Sequence, residues 1–188
     1  MNLPNRITIA RIILIPFFMI ALLCRNIFGQ NTYLCDIVAA VIFALASFTD
    51  GLDGYLARKN NEVTDFGKFL DPIADKLMVA AALISLVQLG RIPAYMVVII
   101  IAREFMVTGL RIIAISNGVV LAAEMTGKIK TVIQIIATLI CILFTSARFN
   151  ILGFSIGYIS MAIATLFTIY SGYVYFKHNI GLFKSSTK

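Results

Sequence analysis

Two acidic segments decide the fold: Asp50-Gly51-Leu52-Asp53-Gly54-Tyr55-Leu56-Ala57-Arg58 and, after eight intervening residues, Gly67-Lys68-Phe69-Leu70-Asp71-Pro72-Ile73-Ala74-Asp75. Four of the nine acidic residues lie here, at the edges of two apolar runs. Asp50 and Asp53 are three residues apart, and Asp71 and Asp75 are four apart, so each pair shares one face of a helix. Because the two helices are consecutive, antiparallel packing is expected to bring the two pairs together.

Apolar runs extend outward from these segments in both directions. They fall at about 12–28, 33–56, 69–89, 92–115, 129–147 and 150–176, and a membrane-spanning helix needs about 20 residues. We therefore predict an all-α integral membrane bundle of six transmembrane helices. A short interfacial segment from Asn2 to Arg11 is expected to precede the first helix. No separate soluble domain fits, so we predict a single domain over residues 1–188.

The composition agrees with a lipid environment. The 188 residues are 60% apolar and 13% charged, with a mean hydropathy of +0.94. An average soluble domain is about 45–50% apolar and about 25% charged. A soluble enzyme and a disordered chain are both excluded on this ground. The net charge of +7 indicates attraction to anionic headgroups or phosphorylated substrates rather than to nucleic acid.

The basic residues predict the orientation. If the helices alternate in direction, 13 of the 16 basic residues lie on one side, and Arg25, Arg91 and Arg148 lie on the other. The positive-inside bias places the richer side, with both termini, in the cytoplasm of a multi-pass cell-membrane protein. The sequence alone does not decide whether Cys24 and Cys35 form a disulfide on the outer side.

The acidic cluster allows two interpretations. Carboxylates that face each other without a partner repel, so the cluster predicts either a site for hard cations such as Mg²⁺, Mn²⁺ or Ca²⁺ or the ion pathway of a cation- or proton-coupled transporter. The acids lie at helix ends rather than at mid-membrane, which favours the cation site. Gly54 and Gly67 leave room for a bulky ligand, and Arg58 with Lys59 can pair with its phosphates.

The spacing carries a resemblance. The pattern D-x2-D-G-x2-A-R-x8-G-x3-D-x3-D is matched at all eight fixed positions and resembles the signature of the CDP-alcohol phosphatidyltransferase family. The resemblance implies six transmembrane helices, a homodimer, and transfer of a phosphatidyl group from a CDP-linked lipid to an alcohol with release of CMP.

The same resemblance implies roles for individual residues. Two divalent cations, Mg²⁺ or Mn²⁺, are expected on Asp50, Asp53 and Asp71. Asp75 is expected to contact metal as well, or to act as the base that deprotonates the acceptor hydroxyl. The expected CDP-binding residues are Asp53, Gly54, Ala57, Arg58 and Gly67.

A second group of basic residues indicates which class of acceptor alcohol the protein binds. Arg103 and Arg111 are eight residues apart and share roughly one helix face, and Lys128 and Lys130 open the fifth apolar run. Such a cluster suits a phosphorylated acceptor, although the positive-inside bias alone also explains lysines at this place. The expected acceptor-phosphate ligands are Thr8, Lys59, Arg103, Arg111, Lys128 and Lys130. Thr8 is equally interpreted as a helix cap.

Three further segments narrow the choice of acceptor alcohol. They resemble the corresponding segments of family members that use sn-glycerol 3-phosphate, and they comprise residues 2–11, 102–111 and 127–131. The implied substrates are CDP-diacylglycerol and glycerol 3-phosphate, and the implied pathway is phospholipid biosynthesis. A relative that uses serine, inositol phosphate or phosphatidylglycerol shares the core motif. Gly153-x-x-x-Gly157 permits close helix packing, either within the chain or across a dimer.

Overall fold

The computed structural model describes residues 3–23, 32–59, 65–116, 125–144, 150–151 and 154–179. For residues 3–6, 32, 50–59, 65–69, 71, 72, 116, 150, 151 and 154 it describes the backbone course alone. Within these ranges the chain forms six helices: α1 (Leu3–Leu23), α2 (Thr32–Lys59), α3 (Asp65–Gln88), α4 (Ala94–Ser116), α5 (Met125–Leu143) and α6 (Ile156–Asn179).

The helices confirm the all-α prediction and correct it at two places. The segment predicted to lie apart from the first helix is continuous with it from Leu3 onward, because Thr8 and Arg11 are buried and hold these turns against the bundle. Before α6, strands β1 (Asn150–Ile151) and β2 (Phe154–Ser155) form an antiparallel hairpin. The apolar run at 150–176 hid this hairpin, because periodicity does not distinguish short apolar strands from helix.

The bundle consists of two packed groups. Helix α1 packs against α2 and α3, and α6 packs against α4 and α5, while α2 contacts α5 and thereby joins the groups. The rings of Phe18 and Phe43, both fully buried, meet with centroids 6.0 Å apart in the α1–α2 contact. This arrangement leaves α3, α4 and α5 around a common space, where the site described below lies.

Gly157 explains the close approach of α5 and α6. A Cβ atom added there would lie 3.2 Å from the Cα atom of Cys141, and the Cys141 thiol donates to the Gly157 carbonyl oxygen at 2.9 Å. The Gly157 half of the predicted glycine motif therefore packs within the chain; Gly153 lies outside the described residues. Cys35 and Cys141 are both buried and form no disulfide, and Cys24 also lies outside the described residues.

The surface of the bundle is apolar and part of its interior is polar. Large exposed apolar side chains occur on all six helices, including Phe48, Phe105 and Leu166, each about two-thirds exposed. Patches of this extent mark contact with lipid or another protein. Among the described residues, α5 and α6 are long and apolar enough to cross a membrane. The distribution is that of a membrane protein.

The α3–α4 connection positions a buried arginine. Gly90 adopts a positive φ of 68°, its amide donates to the Val87 carbonyl, and the Arg91 amide donates to the Leu86 carbonyl. This pair of hydrogen bonds is the Schellman helix ending. It directs Arg91 inward, where Nη2 donates to both carboxylate oxygens of Asp36 at 2.7 and 2.8 Å.

The same guanidinium caps α5. Nη1 of Arg91 donates to the carbonyl oxygens of Cys141 and Ile142 at 3.1 and 2.8 Å, which are among the last carbonyls of that helix and have no partner within it. One buried charge therefore connects α2, the α3–α4 turn and α5.

Replacing Arg91 by methionine is expected to destabilise the bundle strongly. The substitution leaves the Asp36 carboxylate, which is 8% exposed, without its cation, and breaking a buried pair costs about 3–5 kcal/mol. Thermal unfolding in detergent checks this, with Lys177→Met on exposed α6 surface as the control. Equal melting temperatures for the two variants would show that the pair does not stabilise the bundle.

Candidate active site

The aspartate-bearing ends of α2 and α3 lie at one end of the bundle. Helix α2 ends at Lys59 and α3 begins at Asp65, so the two helices are antiparallel neighbours, and they pack together. Asp50 and Asp53 lie in the last turns of α2, and Asp71 and Asp75 in the first turns of α3. The backbone thus brings both acidic pairs to the same end, as the spacing predicts.

Several predicted site residues lie outside the described side chains. These are Asp50, Asp53, Gly54, Ala57, Arg58, Lys59, Gly67 and Asp71. Their predicted roles in binding metal, CDP and acceptor phosphate stay predictions. Asp75 is the one member of the acidic cluster whose side chain is described; it is half-buried.

Asp75 opens onto a cavity of about 460 Å³ between α3, α4, α5 and α6. Ligand sites typically enclose about 300–1,000 Å³. Among the described residues, its charged lining comprises four basic residues and two acidic ones: Lys76, Arg103, Arg111, Lys128, Asp75 and Glu104. This described part of the lining is net positive and suits a small anionic ligand.

Helix α6 fixes the two arginines of this cavity. Arg103 is buried, and its Nη2 donates to Oγ of Ser171 at 2.7 Å. Its side chain packs closely on Gly172, because a Cβ atom added to that glycine would lie 3.2 Å from Cγ of Arg103. Nε of Arg103 is buried and has no hydrogen-bond partner. Arg103 therefore lines the cavity with a side chain that α6 holds in place.

Arg111 is exposed and is oriented by a buried tyrosine. Its Nε donates to the Tyr175 hydroxyl at 3.2 Å, and its guanidinium carbon lies 5.6 Å from the centre of the tyrosine ring, within the range of a cation–π contact. The sequence did not single out Ser171 or Tyr175 for this site. Their four-residue spacing, which places them on one face of α6, is the signal that indicates a shared polar face.

Only some of the remaining residues predicted to bind the acceptor line this cavity. Lys128 lines the cavity with Arg103 and Arg111. Lys130 does not; it is 4% exposed, pairs with the Glu104 carboxylate and lines a smaller, mainly apolar cavity of about 70 Å³. Thr8 is buried in α1 and does not line the larger cavity. The structure thus brings Arg103, Arg111 and Lys128 together beside Asp75.

Comparison with known proteins decides the family. The profile of the CDP-alcohol phosphatidyltransferase family matches residues 1–170, a range that contains both helix ends and most of the cavity wall. The chain belongs to this family. Its members are enzymes that depend in general on divalent cations.

Individual relatives extend over nearly the whole chain. The CDP-diacylglycerol–glycerol-3-phosphate 3-phosphatidyltransferase of Bacillus subtilis (strain 168) is 48% identical over 191 residues, 98% of each chain. The Rickettsia felis protein of the same name is 40% identical over 94% of each chain. A probable phosphatidylglycerophosphate synthase of Mycobacterium tuberculosis is 38% identical over 93% of this chain and 79% of its own length.

The donor chemistry of this phosphatidyltransferase fits a divalent cation. The acidic cluster offers carboxylate oxygens without histidine or cysteine, the ligand type preferred by Mg²⁺, Mn²⁺ and Ca²⁺. Within the part of the chain whose side chains are described, no group of three potential metal ligands occurs. The fit therefore rests on the convergence of the two helix ends and on Asp75, which faces the cavity beside them.

Proposed function

We propose that this phosphatidyltransferase transfers the phosphatidyl group of CDP-diacylglycerol to sn-glycerol 3-phosphate, giving phosphatidylglycerophosphate and CMP in phosphatidylglycerol biosynthesis. The observation that carries the proposal is the single cavity in which Arg103, Arg111 and Lys128 lie beside Asp75. The names of the relatives agree with it, since two of them specify these two substrates.

The cavity accounts for acceptor recognition. The phosphate of glycerol 3-phosphate is close to a dianion at neutral pH, and the described part of the cavity lining is net positive, which favours an anion. Arg103 supplies a guanidinium held by Ser171 and Arg111 a guanidinium held by Tyr175. Guanidinium groups bind phosphate through paired, charge-assisted hydrogen bonds. Lys128 adds a third cation at the beginning of α5, whereas Thr8 and Lys130, which the sequence also predicts for this role, do not line this cavity.

Asp75 is the proposed base. Its carboxylate accepts the proton of the acceptor hydroxyl, the hydroxyl oxygen forms a bond to the β-phosphorus of CDP-diacylglycerol, and the bond between that phosphorus and the bridging oxygen breaks, so that CMP leaves. A base must lie within hydrogen-bond reach of the proton that it accepts. The shared cavity supports this role for Asp75, because Asp75 and the arginines proposed to bind phosphate line the same space.

The cation site completes the chemistry. Asp50, Asp53 and Asp71, with Asp75, would hold two divalent cations, Mg²⁺ or Mn²⁺, which neutralise charge on the pyrophosphate and on departing CMP. Asp53, Gly54, Ala57, Arg58 and Gly67 are proposed to bind the CDP moiety. These five residues belong to the last turns of α2 and the first turn of α3.

The membrane arrangement follows from the charge distribution. We propose six transmembrane helices with both termini and the active site on the cytoplasmic side of the cell membrane, because 13 of 16 basic residues then lie in the cytoplasm. The apolar exterior of the helices keeps the acyl chains in lipid while the headgroup reaches the cavity. A homodimer is part of the same proposal.

CMP release tests the proposal against its alternative. Purified protein in detergent should release CMP when CDP-diacylglycerol, glycerol 3-phosphate and Mg²⁺ or Mn²⁺ are all present, and omission of any one should stop it. Release with serine or inositol phosphate instead would place the chain elsewhere in the family. Ion flux in liposomes without CMP release from any alcohol would indicate the transporter.

Arg111→Ala is expected to raise KM for glycerol 3-phosphate about 10- to 100-fold, because a hydrogen bond to a charged group contributes about 1.5–3 kcal/mol. KM for CDP-diacylglycerol should change less than about 2-fold. Tyr175→Phe, which removes only the hydroxyl that accepts from Arg111, should give a smaller rise. Lys177→Ala on the exposed end of α6 is the control. Equal changes in both KM values would place the acceptor phosphate elsewhere.

A further inference from the structure

Glu104, on α4, is the acidic residue of the larger cavity to which the proposed chemistry gives no role. It lines this cavity of about 460 Å³ together with Arg103, Arg111 and Lys128. By charge alone, a carboxylate among these cations weakens the binding of a phosphate group there. Its presence in the cavity wall therefore needs a separate explanation.

The contacts of Glu104 with its neighbours explain part of its role. Nζ of Lys130, a buried lysine, donates to Oε1 of Glu104, and a buried ammonium without an anion is costly. Nη1 of Arg103 lies 3.5 Å from the same oxygen. Within the described part of the chain, both contacts of the carboxylate are made by Oε1. These neighbours thus account for one of its two oxygens.

The Glu104 carboxylate is also open to a ligand. Its side chain is 28% exposed, and a carboxylate has about four lone-pair sites. A hydroxyl that lines the same cavity, that of Thr108, donates to the Glu104 carbonyl oxygen at 2.8 Å and accepts from Lys76. Charged acceptors form stronger hydrogen bonds than neutral ones. With Asp75, Glu104 is therefore the strongest acceptor among the described residues of the lining.

Glycerol 3-phosphate has a group that needs such an acceptor. Of its two hydroxyls, the terminal one is the proposed nucleophile, whose proton passes to Asp75, and the hydroxyl on the central carbon keeps its proton. The central carbon is also the chiral centre. Contacts with the phosphate and the terminal hydroxyl alone leave the two enantiomers alike, whereas a third contact, with the central hydroxyl, distinguishes them.

We propose that Glu104 is a specificity-determining residue that accepts a hydrogen bond from the central hydroxyl of glycerol 3-phosphate, while its Oε1 atom holds Lys130. This inference rests on the proposed function, in which Arg103 and Arg111 bind the phosphate. The carboxylate selects a phosphorylated alcohol with a second hydroxyl next to the reacting one. It also selects sn-glycerol 3-phosphate over its enantiomer, sn-glycerol 1-phosphate.

The test compares glycerol 3-phosphate with 3-hydroxypropyl phosphate, which lacks only the central hydroxyl. Wild-type protein with CDP-diacylglycerol and Mg²⁺ should prefer glycerol 3-phosphate about 10- to 100-fold in kcat/KM, because the hydrogen bond is to a charged group. Glu104→Gln, whose amide oxygen can still accept from Lys130, should reduce this preference about 3-fold or more. Glu104→Ala should leave a preference of about 2-fold or less. Both variants should also discriminate less between the two enantiomers.

The matched control is Arg111→Ala, which removes a group proposed to bind the phosphate that both alcohols carry. It should lower kcat/KM for both alcohols about equally and keep the preference between them. Thr131→Val removes another hydroxyl that lines the cavity, and it should also keep the preference.

The ratio of the two kcat/KM values separates recognition from folding, because partial unfolding lowers both values equally. Equal losses for both alcohols in the Glu104 variants would overturn the inference and leave Glu104 only as the partner of Lys130. A wild-type preference near unity, or its loss in Thr131→Val, would also overturn it. Wild-type protein that releases no CMP with either alcohol would instead contradict the proposed function.

Discussion

Asp75→Asn should lower kcat by about 10³-fold or more, because a positioned general base contributes about 10²- to 10⁴-fold and the substitution also removes a proposed metal ligand. The amide has nearly the same shape as the carboxylate, so packing around this half-buried position should survive. Steady-state CMP release checks the rate. Thermal unfolding should show a melting temperature close to that of the wild type.

The control for this prediction separates chemistry from binding. KM for glycerol 3-phosphate should change much less than kcat, since Arg103, Arg111 and Lys128, which are proposed to bind its phosphate, are untouched. Asp36→Asn, at a buried aspartate paired with Arg91, should lower stability and leave the activity of the folded fraction intact. An Asp75→Asn variant with more than a tenth of wild-type kcat would remove Asp75 from the mechanism.

Asp53→Asn and Asp71→Asn are each expected to abolish turnover that depends on divalent metal. Loss of one carboxylate from a shared cation site withdraws several kcal/mol of charge stabilisation, and about 4 kcal/mol corresponds to about 10³-fold in rate. Mn²⁺ binding to the protein should fall in parallel, which a defect in lipid binding alone does not produce. Titration of free Mn²⁺ and CMP release measure the two effects.

The matched control is Asp65→Asn. Asp65 begins α3 and lies between the two acidic segments, but it is outside the pattern of eight fixed positions. It should keep Mn²⁺ affinity and turnover within about 2-fold of the wild type. Near wild-type metal binding in Asp53→Asn or Asp71→Asn would show that the cation lies on other ligands.

The parts of the site that sequence predicts are those set by helix periodicity. Arg103 and Arg111 line one cavity, because eight residues is close to a whole number of turns. The separation between Lys128 and Lys130 follows from the same geometry: residues two apart on a helix do not face each other. One lysine therefore lines the cavity and the other enters the bundle, although the sequence alone groups them together.

The parts that sequence did not predict depend on contacts between distant segments. From the sequence, Arg91 is predicted to be a charge on the outer side of the membrane. It is instead buried against Asp36, 55 residues away, because the Schellman ending of α3 turns it inward. Ser171 and Tyr175 look like ordinary residues of an apolar helix, and the packing of α4 on α6 brings them to the arginines. Local spacing places Ser171 and Tyr175 on one face of α6, but it does not identify the distant residues with which they or Arg91 pair.

The identity of the lipid product tests the central claim most directly. Purified protein is incubated with isotopically labelled CDP-diacylglycerol, Mg²⁺ and a panel of alcohols, and the labelled lipid product is identified by its mass in a mass spectrometer. The expected product is phosphatidylglycerophosphate, formed from glycerol 3-phosphate with one CMP released per molecule. A labelled product only with another alcohol, or no product with any alcohol, would contradict it.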